Sequence, residues 1–337
     1  MDYYNHLFSA LIFRHDLNKN YSREKKSNLN NKTLEECFSF FSFFSLMESN
    51  SDFTLESMLA LFKRASEAKK INVPEEFICS DVIDGTNLIV RDGYDKYVYI
   101  HRSIQEYFSA KCISQLNIGQ KNTFLTKYSN LETRKKNVNM LAMLSHIDPI
   151  CFYKSYIIPL LEKNGVLSEG KVICRSKSCI SEFVDGWQVA LDADDDEGVV
   201  GFSQYNTKQD EISCHMRSLT HVLSLKGIAF DDDAPSIYLM TGGEGSISKY
   251  LKSIPPRGNI EKSSGDFLGE VFGEDLDWVT LSEIKQFIEL YDERVVTPIY
   301  ESYLKAINEM QKIIDEEYIN KIESDSIISG MLNDMGY

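Results

Sequence analysis

Apolar residues recur at helical spacing in four stretches of the first 86 residues. These stretches predict helices over about residues 4–11, 33–47, 54–62 and 74–82. The second helix is predicted to open at Thr33-Leu34-Glu35-Glu36, a capping box in which the hydroxyl and the carboxylate satisfy amides of the first turn. Pro74 is well placed in the first turn of the fourth helix.

The period of the pattern changes after residue 87. Leu88-Ile89-Val90 and Val98-Tyr99-Ile100 are β-prone runs that flank a polar loop containing Asp92-Gly93, which predicts a β-hairpin. A second capping box, from Ser103 to Glu106, follows directly and is predicted to open a helix. The apolar stripe of that helix is Ile104, Tyr107, Phe108 and Cys112. Helices followed by a hairpin and a further helix predict a winged helix, with the hairpin as the wing.

The second half of the chain is less regular. Residues 130–148 are again helical in pattern, and residues 150–260 mix loops with short β-like runs at Val199–Phe202 and Ile237–Met240. Helices return from Leu281, and one amphipathic helix of roughly 25 residues is predicted from the spacing of Ile299, Tyr303, Ile307, Met310 and Ile314. The predicted fold class is mainly α with small β elements: a helical winged-helix domain over residues 1–120, a helical connector over 121–160, and a mixed α+β region over 161–337 that ends in helices.

The charge distribution supports a division of the chain. A length of 337 residues already makes two domains the expectation. Residues 1–150 carry 19 Lys and Arg against 18 Asp and Glu, whereas residues 151–337 carry 17 against 33. This step near residue 150 indicates a boundary. The acidic half is a poor partner for nucleic acid or an anionic membrane, because phosphate groups favour basic surfaces.

The composition of the chain also indicates the cellular compartment in which the protein is expected. The longest near-apolar run, residues 37–47, is too short to span a bilayer, so no membrane segment is predicted. The first residues lack the basic start and clean apolar stretch of a signal peptide. Seven scattered cysteines suggest reduced thiols. We therefore expect a cytoplasmic protein.

The segment Tyr97-Val98-Tyr99-Ile100-His101-Arg102-Ser103-Ile104-Gln105-Glu106-Tyr107-Phe108-Ser109-Ala110 resembles the end of the winged-helix domain in NACHT-type STAND NTPases. This class includes bacterial antiphage sensors and animal Nod-like receptors. Its pattern there is a strand, a His, a small cap, Gln-Glu, two aromatics and a small residue. Asp84–Ile89 also resembles the family's run into the wing. The resemblance is dense over residues 84–113, weaker over 1–150, and ends by about residue 160.

The resemblance implies a role for His101. In the family this histidine lies beside the phosphates of bound ADP and helps to hold the protein in its closed, inactive state. The position just before a helix N-terminus suits an anion. The alternative is that His101 only caps the helix or packs at the wing junction.

The resemblance also implies a partner. Family members carry a Walker A loop and Walker B carboxylates before the winged helix, whereas Met1 stands roughly where the preceding helical region would begin. A P-loop NTPase chain is therefore expected as a partner, with ADP or ATP present only when that chain is docked. The other possibility is a truncated or repurposed regulatory half.

Other motifs are weaker. Residues 165–172 resemble a Walker A loop but place Val172 where Ser or Thr must hold magnesium, so a surface turn is predicted. Asp192, Asp194 and Asp196 have calcium-loop spacing without the later ligands of such a loop, which favours a solvated acidic loop. A last set of residues has the ligand types for zinc: Cys174, Cys179, Cys214, His215 and His221. Their spacing along the chain is not that of the tight ligand pairs in a zinc finger or ribbon. No catalytic and no metal-ligating residue is predicted.

The leading hypothesis is a non-catalytic regulatory or sensor part of a NACHT/STAND-type signalling or antiphage defence system, with a protein ligand sensed by the acidic half. Two alternatives belong to other classes. One is a winged-helix DNA-binding regulator, which is disfavoured because the helix over residues 74–84 carries four carboxylates and no Lys or Arg. The other is an unrecognised enzyme within residues 161–337.

Overall fold

The computed structural model describes residue 4 and residues 6–12, 25–129, 137–191, 199–203, 211–228, 277–287 and 290–324. The chain divides into two compact units: unit 1 comprises residues 1–157 and 321–337, and unit 2 comprises residues 158–320. Most described residues are helical, and the strands form small antiparallel sheets. The predicted fold class, mainly α with small β elements, is confirmed.

Unit 1 is helical around one small sheet. Its elements in chain order are α1 (residues 6–12), α2 (Asn31–Met47), β1 (Asp52–Phe53), α3 (Leu55–Ala68), α4 (Glu75–Thr86), β2 (Ile89–Arg91), β3 (Tyr97–Tyr99), α5 (Arg102–Gln115), α6 (Ile118–Ser129), α7 (Val138–Ile147) and α8 (Pro149–Phe152), which continues as a π-helical turn (Tyr153–Ile157).

The element order α2-β1-α3-α4-β2-β3 is that of a winged helix. The sheet is antiparallel in the order β1-β3-β2, so the last strand in sequence is the central one. Asp52 pairs with Val98 on one side of β3, and Ile89 pairs with Tyr99 on the other. The β2–β3 hairpin was predicted, whereas β1 was not, because two residues are too few to show a period.

The wing is a tight, polar hairpin. Gly93 has a φ of +95°, a conformation that glycine adopts at little cost. The Asp92 amide donates to the Lys96 carbonyl at 2.7 Å, and the Arg91 Nε donates to the Tyr94 carbonyl at 3.0 Å. At the base of the wing, Lys96 Nζ lies 3.0 Å from Asp52 Oδ2. These bonds close the loop over residues 92–96, and the hairpin that the Asp-Gly loop predicts is confirmed.

The core of unit 1 is aromatic and centres on α2. This helix is apolar on most of its circumference, as expected for a helix buried among others. Phe38 is fully buried, and its ring centroid lies 4.8 Å from that of Phe108 on α5. Phe41 stacks on Phe62 of α3 at 4.3 Å. The predicted stripe of α5 is buried against this core at Ile104, Tyr107, Phe108 and Cys112.

Two predicted helix starts are wrong by a few residues. α2 is capped by Asn30, whose Oδ1 accepts the amide of Thr33 at 2.9 Å, so Thr33 lies inside the helix. α5 is capped by His101, and Ser103 is its second residue. The reason is that a cap needs extended backbone as well as an acceptor, and sequence does not show which candidate is extended. The predicted start of α3 near Thr54 is confirmed, and Thr54 is the residue that caps the helix.

Unit 2 contains the remaining elements. They are α9 (Ile158–Lys163), β4 (Leu167–Ser168), β5 (Lys171–Val172), α10 (Lys177–Asp185), β6 (Gln188–Leu191), β7 (Val199–Ser203), α11 (Glu211–Leu225), β8 (Asp277–Thr280), α12 (Leu281–Ile284), a 3₁₀ turn (Lys285–Phe287), a π-helical turn (Asp292–Val296), α13 (Thr297–Ile314) and a second π-helical turn (Asp315–Ile319). β6 is the central strand of an antiparallel sheet in the order β7-β6-β8.

Two predictions for unit 2 are confirmed. The β-like run at Val199 forms β7. All five apolar positions of the predicted amphipathic helix are buried on α13. The run Ile237–Met240 and the acidic loop at Asp192, Asp194 and Asp196 lie outside the described residues.

A carboxylate joins two distant segments of unit 2. Asp185, at the end of α10, accepts the Tyr291 hydroxyl at 2.8 Å and Lys285 Nζ at 2.7 Å. Burial, and then the hydrogen bond to Asp185, raise the pKa of the Tyr291 phenol. These bonds fasten α10 to the chain that follows α12.

No helix in the described ranges of the chain is both long and apolar enough to cross a bilayer.

Candidate functional site

His101 lies at the junction between the wing and α5. Its backbone is extended, with φ −156° and ψ 139°, and its side chain caps the helix. Nδ1 accepts the backbone N–H of Ser103 at 3.1 Å and lies 2.7 Å from Ser103 Oγ. The ring is exposed to solvent. The imidazole therefore replaces the Ser, Thr, Asp or Asn that usually caps a helix, while its other edge faces outward.

The N-terminal segment covers this end of α5. The Tyr4 hydroxyl lies 2.7 Å from Ser103 Oγ, and the Tyr4 ring stacks on Tyr107 with centroids 4.9 Å apart. Burial raises the pKa of the Tyr107 phenol to about 12, so this ring stays neutral. Leu7 and Phe8 of α1 are buried in the core beside it. Tyr4 thus connects α1 to the cap.

Gln105 and Glu106 fasten α5 to its neighbours. The Gln105 amide donates to Ser45 Oγ at 2.9 Å and to the Asn50 carbonyl at 2.7 Å, which ties α5 to the end of α2. The buried Glu106 carboxylate accepts from Asn139 Nδ2 at 3.3 Å and lies 3.4 Å from Arg102 Nε. Both side chains therefore face the interior of unit 1, where they position the helix.

A shallow cleft of about 280 Å³ opens between the sheet and the first turn of α5. Its lining includes Lys96, Arg102 and Asp52. The Arg102 side chain is 63% exposed, so its charge adds to the positive end of the helix beside His101. Lys96 is paired with Asp52 and Arg102 with Glu106, so the positive charge beside the imidazole is partly balanced by carboxylates.

A buried histidine lies at the centre of unit 2. His215 Nδ1 lies 2.9 Å from the Gly165 carbonyl, and Nε2 lies 3.1 Å from the Tyr303 hydroxyl. That hydroxyl accepts the Arg175 amide at 2.8 Å. Burial lowers the pKa of the His215 imidazole; the Gly165 bond and the Glu211 charge oppose this shift, and the Arg175 charge reinforces it. The network joins α11, α13 and the loop between α9 and α10.

The residues considered for zinc are used otherwise or lie apart. Both ring nitrogens of His215 are engaged in hydrogen bonds. Within the described ranges, no group of three His, Cys, Asp or Glu side chains is placed to hold a metal ion. All seven cysteines are free thiols. Burial raises the pKa of Cys37 to about 11 and those of Cys79 and Cys112 to about 12, so these three are poor nucleophiles.

The Walker-like string forms a hairpin. Residues 165–172 follow α9 and contain the paired strands β4 and β5. Glu169 and Gly170 form its turn with φ values of +50° and +76°, typical of a two-residue hairpin. A phosphate-binding loop needs a strand before it and a helix after it, and this segment has neither.

The sequence points to His101, and the structure places it on the surface at a helix N-terminus. Sequence alone missed Tyr4 and the His215–Tyr303 pair, because their partners lie 99 and 88 residues away along the chain. No protein-family model matches this chain, and comparisons with curated proteins and with solved structures found no similar protein. The features of this chain that bear on its function are therefore the motif over residues 84–113 and the geometry around His101.

Proposed function

We propose that this chain is the non-catalytic regulatory and sensor part of a NACHT/STAND-type signalling or antiphage defence system. In this proposal it holds a nucleotide-bound P-loop module closed and couples sensing to activation in the cytoplasm. The observation that carries the proposal is the exposed imidazole of His101 at the first turn of α5, within a winged helix. This is where the family resemblance expects a contact with the phosphates of ADP.

The electrostatics of this position support a phosphate contact. The amides at the start of α5 and the helix dipole favour an anion. The guanidinium of Arg102, 63% exposed and 3.4 Å from the Glu106 carboxylate, adds a positive charge that Glu106 partly balances. Gln105 and Glu106 hold the helix in place from the interior side. The proposed contact is made only with a P-loop NTPase chain docked, since that chain supplies the nucleotide-binding loop.

The acidic half is proposed to bind the sensed ligand. Residues 151–337 carry 33 Asp and Glu against 17 Lys and Arg, which repels nucleic acid and anionic lipid. A protein with a basic surface is the partner that this charge favours, because opposite charge speeds encounter and suppresses wrong partners.

The test is purification of this protein from its native host, with identification of co-purifying chains and bound nucleotide. We expect a P-loop protein and ADP to co-purify with the wild-type chain, and His101→Ala to lose the nucleotide. His101→Asn is the matched variant, because Asn is a preferred helix cap but lacks the second ring nitrogen. If His101→Asn folds normally and also loses the nucleotide, the loss reflects the phosphate contact. Full retention by both variants would contradict the role of His101.

The winged-helix order alone also fits a DNA-binding regulator. In such proteins the helix before the wing reads the major groove. Here that helix is α4, and it carries Glu75, Glu76, Asp81 and Asp84 without a Lys or Arg. Asp81 is engaged by the segment before α2, since its carboxylate accepts the backbone amides of Lys26 and Ser27 at 3.0 and 2.9 Å. The exposed face of α4 is therefore acidic.

We accordingly expect no shift of duplex DNA in a gel-shift assay, even at low salt, where phosphate contacts are strongest. A Glu76→Lys, Asp84→Lys variant serves as a positive electrostatic control, because it reverses the charge on that face. A salt-dependent shift with the wild-type chain would favour the DNA-binding alternative instead.

A further inference from the structure

We infer that Tyr4 and Ser103 are positioning residues for His101: together they orient its imidazole so that Nε2 carries the hydrogen and presents a single N–H donor outward. What this donor binds rests on the proposed function above. The orientation of the ring is a property of this chain alone and can be measured without a partner.

The Ser103 amide determines which nitrogen of the His101 ring carries the hydrogen. A backbone amide can only donate, and the Ser103 amide points at His101 Nδ1 at 3.1 Å. Nδ1 must therefore offer its lone pair. In the neutral imidazole the hydrogen is then on Nε2, because one ring nitrogen donates and the other accepts.

The second step fixes the direction of the remaining bonds. Ser103 Oγ lies 2.7 Å from Nδ1, and since Nδ1 carries no hydrogen, the serine hydroxyl donates to it and shares the lone pair with the Ser103 amide. The Ser103 oxygen is then left to accept, and the Tyr4 hydroxyl lies 2.7 Å from it. The hydrogen bonds run from Tyr4 to Ser103 to His101. Such a chain polarises each member and strengthens the last bond.

The third step is what holds Tyr4 in place. Its ring stacks on Tyr107, which is 1% exposed. The following residues Leu7, Phe8 and Ile12 are buried in the core of unit 1. The start of α1 is therefore anchored, and the orientation of His101 depends on the packing of a segment almost 100 residues before it.

This orientation of the imidazole decides which ligands His101 can bind. An outward Nε2–H binds an acceptor such as a phosphate or carboxylate oxygen. It cannot ligate a metal or take up a proton through Nε2, because the lone pair for either task is on Nδ1 and is already engaged. No described residue is hydrogen-bonded to Nε2 and His101 is exposed, so the donor is open to a docked ligand.

The experiment is nitrogen NMR of the full chain labelled at histidine, with the His101 signals assigned from their loss in His101→Asn. In the wild-type chain at about pH 8, above the reference pKa of a model-peptide histidine, we expect hydrogen on Nε2 and a hydrogen bond at Nδ1. Tyr4→Phe keeps the stacked ring and removes only the hydroxyl, so the Nδ1 resonance should move toward that of a weaker bond. Tyr94→Phe is the matched control, because Tyr94 is 92% exposed at the wing tip.

Ser103 supplies a second, independent variant. Ser103→Ala should move the Nδ1 resonance further than Tyr4→Phe, and Ser103→Thr should restore it, because threonine keeps the hydroxyl. A His101 ring with hydrogen on Nδ1, or a resonance unchanged in both Tyr4→Phe and Ser103→Ala, would overturn the inference.

Nucleotide release from the co-purified complex separates this inference from the proposed function. We expect about 2- to 10-fold faster release from Tyr4→Phe, the range for one lost hydrogen bond. Release that changes in His101→Asn but not in Tyr4→Phe would keep the proposed function and overturn the positioning role. If the wild-type chain carries no nucleotide while the NMR shifts occur as expected, the proposed function fails and the orientation of His101 stands.

Discussion

Phe38→Ala is expected to lower the free energy of unfolding of unit 1 by about 3–5 kcal/mol, the range for removing a buried aromatic ring. Phe38 is 0% exposed. Its ring lies 4.8 Å from Phe108, 5.8 Å from Phe8 and 6.2 Å from Tyr99, between centroids. The side chain therefore joins α1, α2, β3 and α5, and a cavity at this point is bordered by rings that cannot easily close it.

The measurement is urea unfolding followed by near-ultraviolet circular dichroism of the tyrosine and phenylalanine bands. Phe77→Ala is the matched control, because it deletes the same ring from α4 where the side chain is 43% exposed. We expect the control to cost less than about 1.5 kcal/mol, roughly the burial of half a ring. Equal losses for the two variants would mean that Phe38 is not central to the core.

Unit 2 is expected to lose stability as the pH falls below about 6.5, the ordinary pKa of histidine. The pKa of His215 is lowered in the folded state, chiefly by burial. Below 6.5 the unfolded chain binds a proton that the folded chain does not, so unfolding is favoured progressively. The contribution is fully present above 6.5 and is lost at no more than about 1.4 kcal/mol per pH unit for one proton.

The His215→Gln variant tests this directly. A glutamine amide can donate to the Gly165 carbonyl and accept from Tyr303 as the imidazole does, but it does not titrate. Both tryptophans, Trp187 and Trp278, belong to unit 2, so their fluorescence reports its unfolding in urea. We expect the wild-type chain to lose more stability than His215→Gln between about pH 7 and pH 5. His6→Gln removes an exposed histidine of unit 1 and should leave the difference unchanged.

Features that are local in sequence were predictable. The start of α3 near Thr54, the hairpin around Gly93 and the buried stripe of α13 each follow from residues that lie close together along the chain. The strand β1 was not predictable, because Asp52 and Phe53 become a strand only through pairing with β3. The capping boxes failed for a related reason, since two polar residues competed for each cap and only the backbone conformation decides between them.

The candidate site also combines features that the sequence predicts with features that depend on distant contacts. His101 stands out from its motif, and its place before a helix follows from the pattern around it. The hydrogen bonds of the His101 ring do not follow from that pattern, because they depend on Tyr4, which the fold alone brings to Ser103. In unit 2, His215 was considered as a zinc ligand, whereas the fold gives it a tyrosine and a carbonyl. Contacts between residues so far apart leave no pattern that a sequence window can detect.

The pairing of α2 with α5 has a consequence for synthesis of the protein in the cell. α2 ends at Met47, and α5, whose Phe108 packs on Phe38, begins only at Arg102. A ribosome adds about 5–20 residues per second, so the roughly 55 intervening residues take on the order of 3–11 seconds. During that interval the apolar run from Cys37 to Met47 is made but its partner is not. We therefore expect a nascent-chain chaperone to reach this run before α5 covers it.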